Sequence, residues 1–166
     1  MKYKIGIIGG SGAFATSYLL QKINETSVAM YGSKNDSEFL DTVTVSTPYS
    51  FLDYKGQSTK ATIENLIKIM HQLETIDCNV IVMACNTLHQ YWSVLNNIKL
   101  KNDTVLLHLP KIVAGFIEND EENIGVLCSE QSRFLDIYKS PLNDYNKKIV
   151  YPPINIQSSI NFSINS

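Results

Sequence analysis

The chain has 166 residues, 44% hydrophobic and 18% charged, which is enough apolar material for one domain or two small ones and excludes a disordered or collagen-like polymer. Fourteen Lys and Arg against sixteen Asp and Glu leave a formal net charge of -2 with no dense basic stretch, which argues against a nucleic-acid partner, since phosphate backbones are held by clusters of cations that displace counterions. The longest apolar runs, such as Asn79–Ala84, fall far short of the ~20 residues of a bilayer span, and Met1-Lys-Tyr-Lys-Ile-Gly6 lacks the uniform apolar core of a secretion signal, so no membrane contact and a cytoplasmic location are expected.

Lys4–Gly9 is a short apolar run ending in glycines, the pattern of a buried parallel strand, with Gly10-Ser11-Gly12 as the loop after it. From Ala13 to Ile23 the apolar residues Phe14, Tyr18, Leu19 and Ile23 recur at helical spacing, so a helix follows. Residues 31–38 are small and polar. Asp41–Thr47 alternates as a strand that Pro48 ends. Ser58 to Thr75 carries Ile63, Leu66, Ile67, Met70 and Leu73 on one helical face behind a Ser/Thr cap. Cys78–Ala84 reads as a fully buried strand, then Cys85-Asn86-Thr87 leads into a helix through Val94. The repeated unit is βαβ and the sheet mainly parallel. A strand near Val105–Pro110, a helix over Lys111–Ile117, a polar turn at Asn119–Asn123, a strand at Ile124–Leu127 and a helix over Arg133–Tyr138 complete the pattern. The tail is expected to be a loop over Tyr151–Gln157 and the start of a helix over Ser158–Ile164.

The two openings Ile5-Gly-Ile-Ile8 and Ile124-Gly-Val-Leu127 match at an offset of 119 residues. This repeat implies a duplicated pair of α/β halves, with a first domain over 1–104 and a partial second domain over 105–166. At that offset the counterpart of Cys85 falls near position 204, beyond Ser166, so the expectation is a second half cut short.

Three cysteines, Cys78, Cys85 and Cys128, make neither a disulfide framework nor a CxxC zinc pair. Gly10–Ala15 fits the loose GxGxxA pattern after a strand, but no acidic residue closes the second strand and no GK[ST] follows. This argues against a nicotinamide, flavin or P-loop role and leaves an anion-holding loop. Cys85 sits at the carboxyl end of a buried parallel strand, where open α/β sheets bind ligands, and a helix beginning just after it would favour the thiolate. It is read either as an acid/base or nucleophile or as a small buried core residue. Asn86 and Thr87 beside it are donors for a carboxylate or helix caps. His71, His89 and His108 have no ligand spacing among them, so no metal is expected.

Gly6–Thr16, Ala84-Cys-Asn-Thr-Leu-His89 and Ile124-Gly-Val-Leu-Cys-Ser129 running to Tyr138 together resemble successive signatures of the aspartate/glutamate racemase family, over nearly the whole chain including Tyr151-Pro152 and Gln157. The resemblance implies two like α/β domains, no cofactor, a small amino-acid substrate, and inversion of Cα by two cysteines, one on each face. Cys85 corresponds to the first of these. Asn86 and Thr87 would hold the α-carboxylate, helped by Ser11, Ser129 and Ser132. The family's second cysteine falls beyond residue 166. Cys128 and Cys78 do not stand in its place, since one takes a strand-end position usually held by a small residue and the other precedes its strand. Where family members usually have an Arg near an Asp to clamp the side-chain carboxylate, Leu52-Asp-Tyr-Lys55 offers Lys55, a point charge in place of a bidentate fork. The function this implies is cofactor-independent racemisation of an acidic amino acid, weak or lost without the second cysteine. The alternatives are a one-cysteine decarboxylase or isomerase and a non-catalytic carboxylate binder. A bare sheet edge and apolar domain surface also imply homodimerisation or aggregation.

Overall fold

A computed structural model of the chain describes residues 3–47, 59–100, 103–117 and 122–165. It folds as two compact units, one of Met1–Cys85 with Tyr91–Leu107 and the other of Asn86–Gln90 with His108–Ser166. Val105–Leu107, which the sequence reading put with the second domain, pairs in the sheet of the first unit.

In the first unit four strands, β1 (Lys4–Gly9), β2 (Asp41–Ser46), β3 (Val80–Met83) and β4 (Val105–Leu107), form a parallel sheet in the order β2-β1-β3-β4. Register is set by pairs such as Ile7 with Thr44, Ile7 with Val82, and Ile81 with Leu106. The two central strands are almost continuously apolar because a parallel sheet is covered on both faces, and Ile7, Ile8, Ile81 and Met83 are fully buried. Asn79 ties three strands together: its Oδ1 accepts from the Lys4 N–H, its N–H donates to the Lys4 carbonyl, and its carbonyl accepts from the Val105 N–H.

Helix α1 (Ala13–Tyr31) follows β1, α2 (Thr59–Thr75) precedes β3, and the short α3 (Trp92–Leu95) precedes β4. α2 buries Leu66, Ile69, Met70 and Leu73, the amphipathic stripe expected from the sequence. α1 does not use its apolar residues that way. Phe14 and Tyr18 are exposed, while Thr16 and Ser27 are buried. The stripe 16, 20, 23, 27 faces inward because the glycine loop needs a small polar side chain at its base. Thr16 Oγ1 accepts from the Gly10 N–H and donates to the Gly12 carbonyl, closing the loop onto the helix. α1 also runs eight residues beyond Ile23, ending where Gly32 takes a left-handed conformation and satisfies the Ser27 and Val28 carbonyls.

In the second unit β5 (Asn123–Gly125) and β6 (Lys148–Val150) pair in parallel. Around them lie α4 (Leu109–Phe116), α5 (Glu130–Phe134), α6 (Lys139–Asn143) and α7 (Gln157–Asn165). α6 and β6 are additions to the elements read from the sequence. Pro141 inside α6 disguises the helix, and β6 is only three residues long. Gln157 anchors the start of α7. It is 4% exposed, donates from Nε2 to the Cys128 carbonyl at 2.9 Å, and accepts at Oε1 from Arg133 at 3.1 Å. Gln157→Leu keeps the volume but removes the donor to the Cys128 carbonyl and one of the two acceptors of Arg133, so it is expected to destabilise the chain by about 2 kcal/mol. Denaturant unfolding measures this, and a loss under ~0.5 kcal/mol would mean that the network contributes little.

Candidate functional site

The strand order reverses between β1 and β3. In open parallel sheets the carboxyl ends of the strands flanking such a reversal are the usual ligand position. Two sequence-predicted residues of the first unit meet there. Ser11, 3% exposed in the glycine loop after β1, donates its hydroxyl hydrogen to Cys85 Sγ at 3.2 Å, two residues beyond β3. Cys85 itself is half-buried. It is therefore not one of the aliphatic core residues, and a hydroxyl donor at sulfur is the arrangement that solvates a thiolate.

The segment after Cys85 differs from the expected regular helix. Asn86–Tyr91 is a 3₁₀ helix and the α-helical turn begins only at Trp92. The glycine loop also departs from an open anion cradle, because the Gly10 N–H is spent on Thr16. What meets the Cys85 sulfur at the strand end is the hydroxyl of Ser11.

Within the second unit a chain of hydroxyls gathers three more predicted residues. Ser129 caps α5 by accepting from the Ser132 N–H, and its hydroxyl donates to Ser132 Oγ at 3.1 Å. Ser132 Oγ lies 3.0 Å from Thr87 Oγ1. Either hydroxyl can be the donor of this bond, because the Ser132 oxygen keeps a second acceptor lone pair after accepting from Ser129. Asn86 is exposed, and its Oδ1 accepts from the Tyr138 hydroxyl at 2.9 Å. Burial pushes the Tyr138 phenol above its ordinary range, so it remains a donor at neutral pH. Sequence reasoning named Tyr138 only as the end of a motif. The 52 residues separating it from Asn86 left no local signal of the bond.

The chain's single arginine is engaged elsewhere in this unit. Arg133 donates to the Pro152 carbonyl and to Gln157, and lies 5.2 Å from the centre of the Tyr151 ring. The Tyr151 hydroxyl donates to Asp136, and its burial together with that carboxylate raises its pKa. Lys55 and its neighbours lie outside the described residues. Of the other two cysteines, Cys78 is buried and Cys128 half-buried, and burial raises both of their thiols above the ordinary range. His89 and His108 pack edge to face at 5.2 Å. Among the described residues no group of three or more His, Cys, Asp or Glu is placed to hold a metal ion, and no helix is long and apolar enough to cross a membrane.

The fold of the chain, with its parallel α/β sheets, matches solved structures of the aspartate/glutamate racemase type. The chain superposes on the Picrophilus torridus aspartate racemase with a TM-score of 0.74 at 22% identity, covering 95% of this chain and 65% of that one. An aspartate racemase homologue from Pyrococcus horikoshii gives 0.79 at 21% identity, covering 98% and 69%. In sequence the chain is 25% identical over 152 residues to the broad specificity amino-acid racemase RacX of Bacillus subtilis, covering 89% of this chain and 63% of that protein. It thus spans a little under two thirds of the length of that relative and of the Picrophilus enzyme. No protein-family model matches it.

Proposed function

We propose that the chain acts at Cα of an acidic amino acid, as an amino-acid racemase of the aspartate/glutamate type without a cofactor, with Cys85 as one acid/base. The observation that carries this reading is the Ser11 hydroxyl directed at the Cys85 sulfur at the strand-order reversal. In the proposed reaction the thiolate takes the Cα proton and its electron pair moves into the carboxylate as an enediolate. A thiol returning a proton to the opposite face completes inversion, and return to the same face leaves configuration unchanged. A Cα–H beside a carboxylate is a very weak acid, so fixed donors must stabilise the charge that develops on the carboxylate oxygens. Asn86 and Thr87, the two residues after Cys85, are assigned that role. Ser132 and Ser129 orient the Thr87 hydroxyl through the bonds described above. Lys55 is assigned the side-chain carboxylate, and as a point charge it would discriminate aspartate from glutamate less sharply than a bidentate arginine.

Proton exchange tests the reading more directly than inversion does, because one thiolate suffices for it. In D2O the chain is expected to replace Cα–H by Cα–D in L-aspartate or L-glutamate, followed by loss of the proton resonance, with optical rotation recorded in parallel. Exchange of neither acid under conditions where the chain is folded would refute the assignment.

A further inference from the structure

The Asn86 side chain raises a problem of orientation. Its amide carries two donors on nitrogen and an acceptor oxygen, and a half-turn about its terminal torsion exchanges them. Only the NH2 face can bind a carboxylate. Asn86 is exposed, so packing does not select between the two orientations. We infer that Tyr138 is a positioning residue that selects the donor face of Asn86, by giving its phenolic hydrogen to Oδ1 at 2.9 Å and so turning Nδ2 toward the substrate carboxylate.

Tyr138 caps α6 from its N-terminal side and is half-buried, so its ring is held by the second unit. Asn86 belongs to the same unit, at the start of the 3₁₀ helix. The bond therefore ties an exposed amide to an anchored ring, and the phenol spends its hydrogen on the acceptor end of that amide. An amide held by its oxygen has lost one orientation before the ligand arrives, which lowers the entropic cost of binding.

The inference rests on the reading of Asn86 as a carboxylate holder, and the experiment separates the two. L-aspartate binding is measured by titration calorimetry on the full chain, Tyr138→Phe, Asn86→Ala and the double variant, with the thermal midpoint of each. Tyr138→Phe keeps the ring and removes only the hydroxyl. It is expected to weaken binding about five- to tenfold with little change in midpoint, in line with the loss of one orienting hydrogen bond. In the Asn86→Ala background the same change should have no further effect, which a merely structural role of the ring would not produce. Unchanged affinity in Tyr138→Phe with weakened binding in Asn86→Ala overturns the positioning role and leaves the carboxylate reading standing. An equal loss from Tyr138→Phe in both backgrounds also overturns it. If Asn86→Ala binds aspartate as the unaltered chain does, or the unaltered chain binds none, the carboxylate reading fails and the inference with it.

Discussion

Cys85→Ser is expected to reduce Cα-proton exchange of an acidic amino acid by at least about a hundredfold, the lower end of what a positioned acid/base contributes. Serine is nearly isosteric and can still meet the Ser11 hydroxyl, so the fold should persist. Cys85 is half-buried at a strand end, not within the closely packed centre, and surface-like substitutions usually stay within ~0.5 kcal/mol. The chemistry changes more than the shape. A thiol can supply a thiolate base, whereas an alcohol does not ionise in the accessible range and offers no comparable base. The measurement is the deuterium exchange rate of the two proteins at equal concentration, with circular dichroism as the control on folding. An exchange rate that survives the substitution would place the base elsewhere. Cys128, whose thiol is pushed up by burial, would then be the next residue to replace.

Gly10→Ala is expected to damage the fold itself. Gly10 has φ +94, a conformation that side chains rarely adopt, and a Cβ built there would fall onto the backbone of Thr47, against its carbonyl oxygen, carbonyl carbon and nitrogen. Thr47 cannot retreat cheaply, since its N–H donates to the Gly9 carbonyl at the end of the β1–β2 ladder. Strain at positive φ and overpacking against backbone together should cost about 3 kcal/mol or more, a fall in thermal midpoint of roughly 10 °C for a chain of this length. Gly32→Ala is the matched control. Gly32 has φ +69 but nothing within 4 Å of its Cβ position, so only the conformational cost of about 1 kcal/mol applies. Equal losses in the two variants would show that the approach of Thr47 contributes nothing.

Much of this arrangement is legible in the sequence because its elements are short and sharply punctuated. The apolar runs Lys4–Gly9 and Cys78–Ala84 read as strands, found at Lys4–Gly9 and Val80–Met83, and the glycines after the first mark the loop that holds Ser11. The parallel sheet and the placement of Cys85 at a strand end follow from that alternation. What the residues did not disclose depends on tertiary choice. α1 turns Thr16 and Ser27 inward and leaves Phe14 exposed, because the needs of the glycine loop override apolar spacing. The stretch after Cys85 winds as a 3₁₀ helix where periodicity suggested a regular one. Val105–Leu107 joins the first sheet through its pairing with β3, which composition cannot assign to either half. The bonds from Tyr138 to Asn86 and from Ser132 to Thr87 link positions 52 and 45 apart, beyond the reach of any local pattern.

Ser11 and Cys85 are 74 positions apart, and they meet only after β1 and β3 have come into register. At that separation the contact reports long-range closure, a slow class of event in parallel α/β folding. In a refolding reaction, formation of this contact would therefore mark the moment the central strands zip, giving the chain a built-in chronometer for assembly of its sheet.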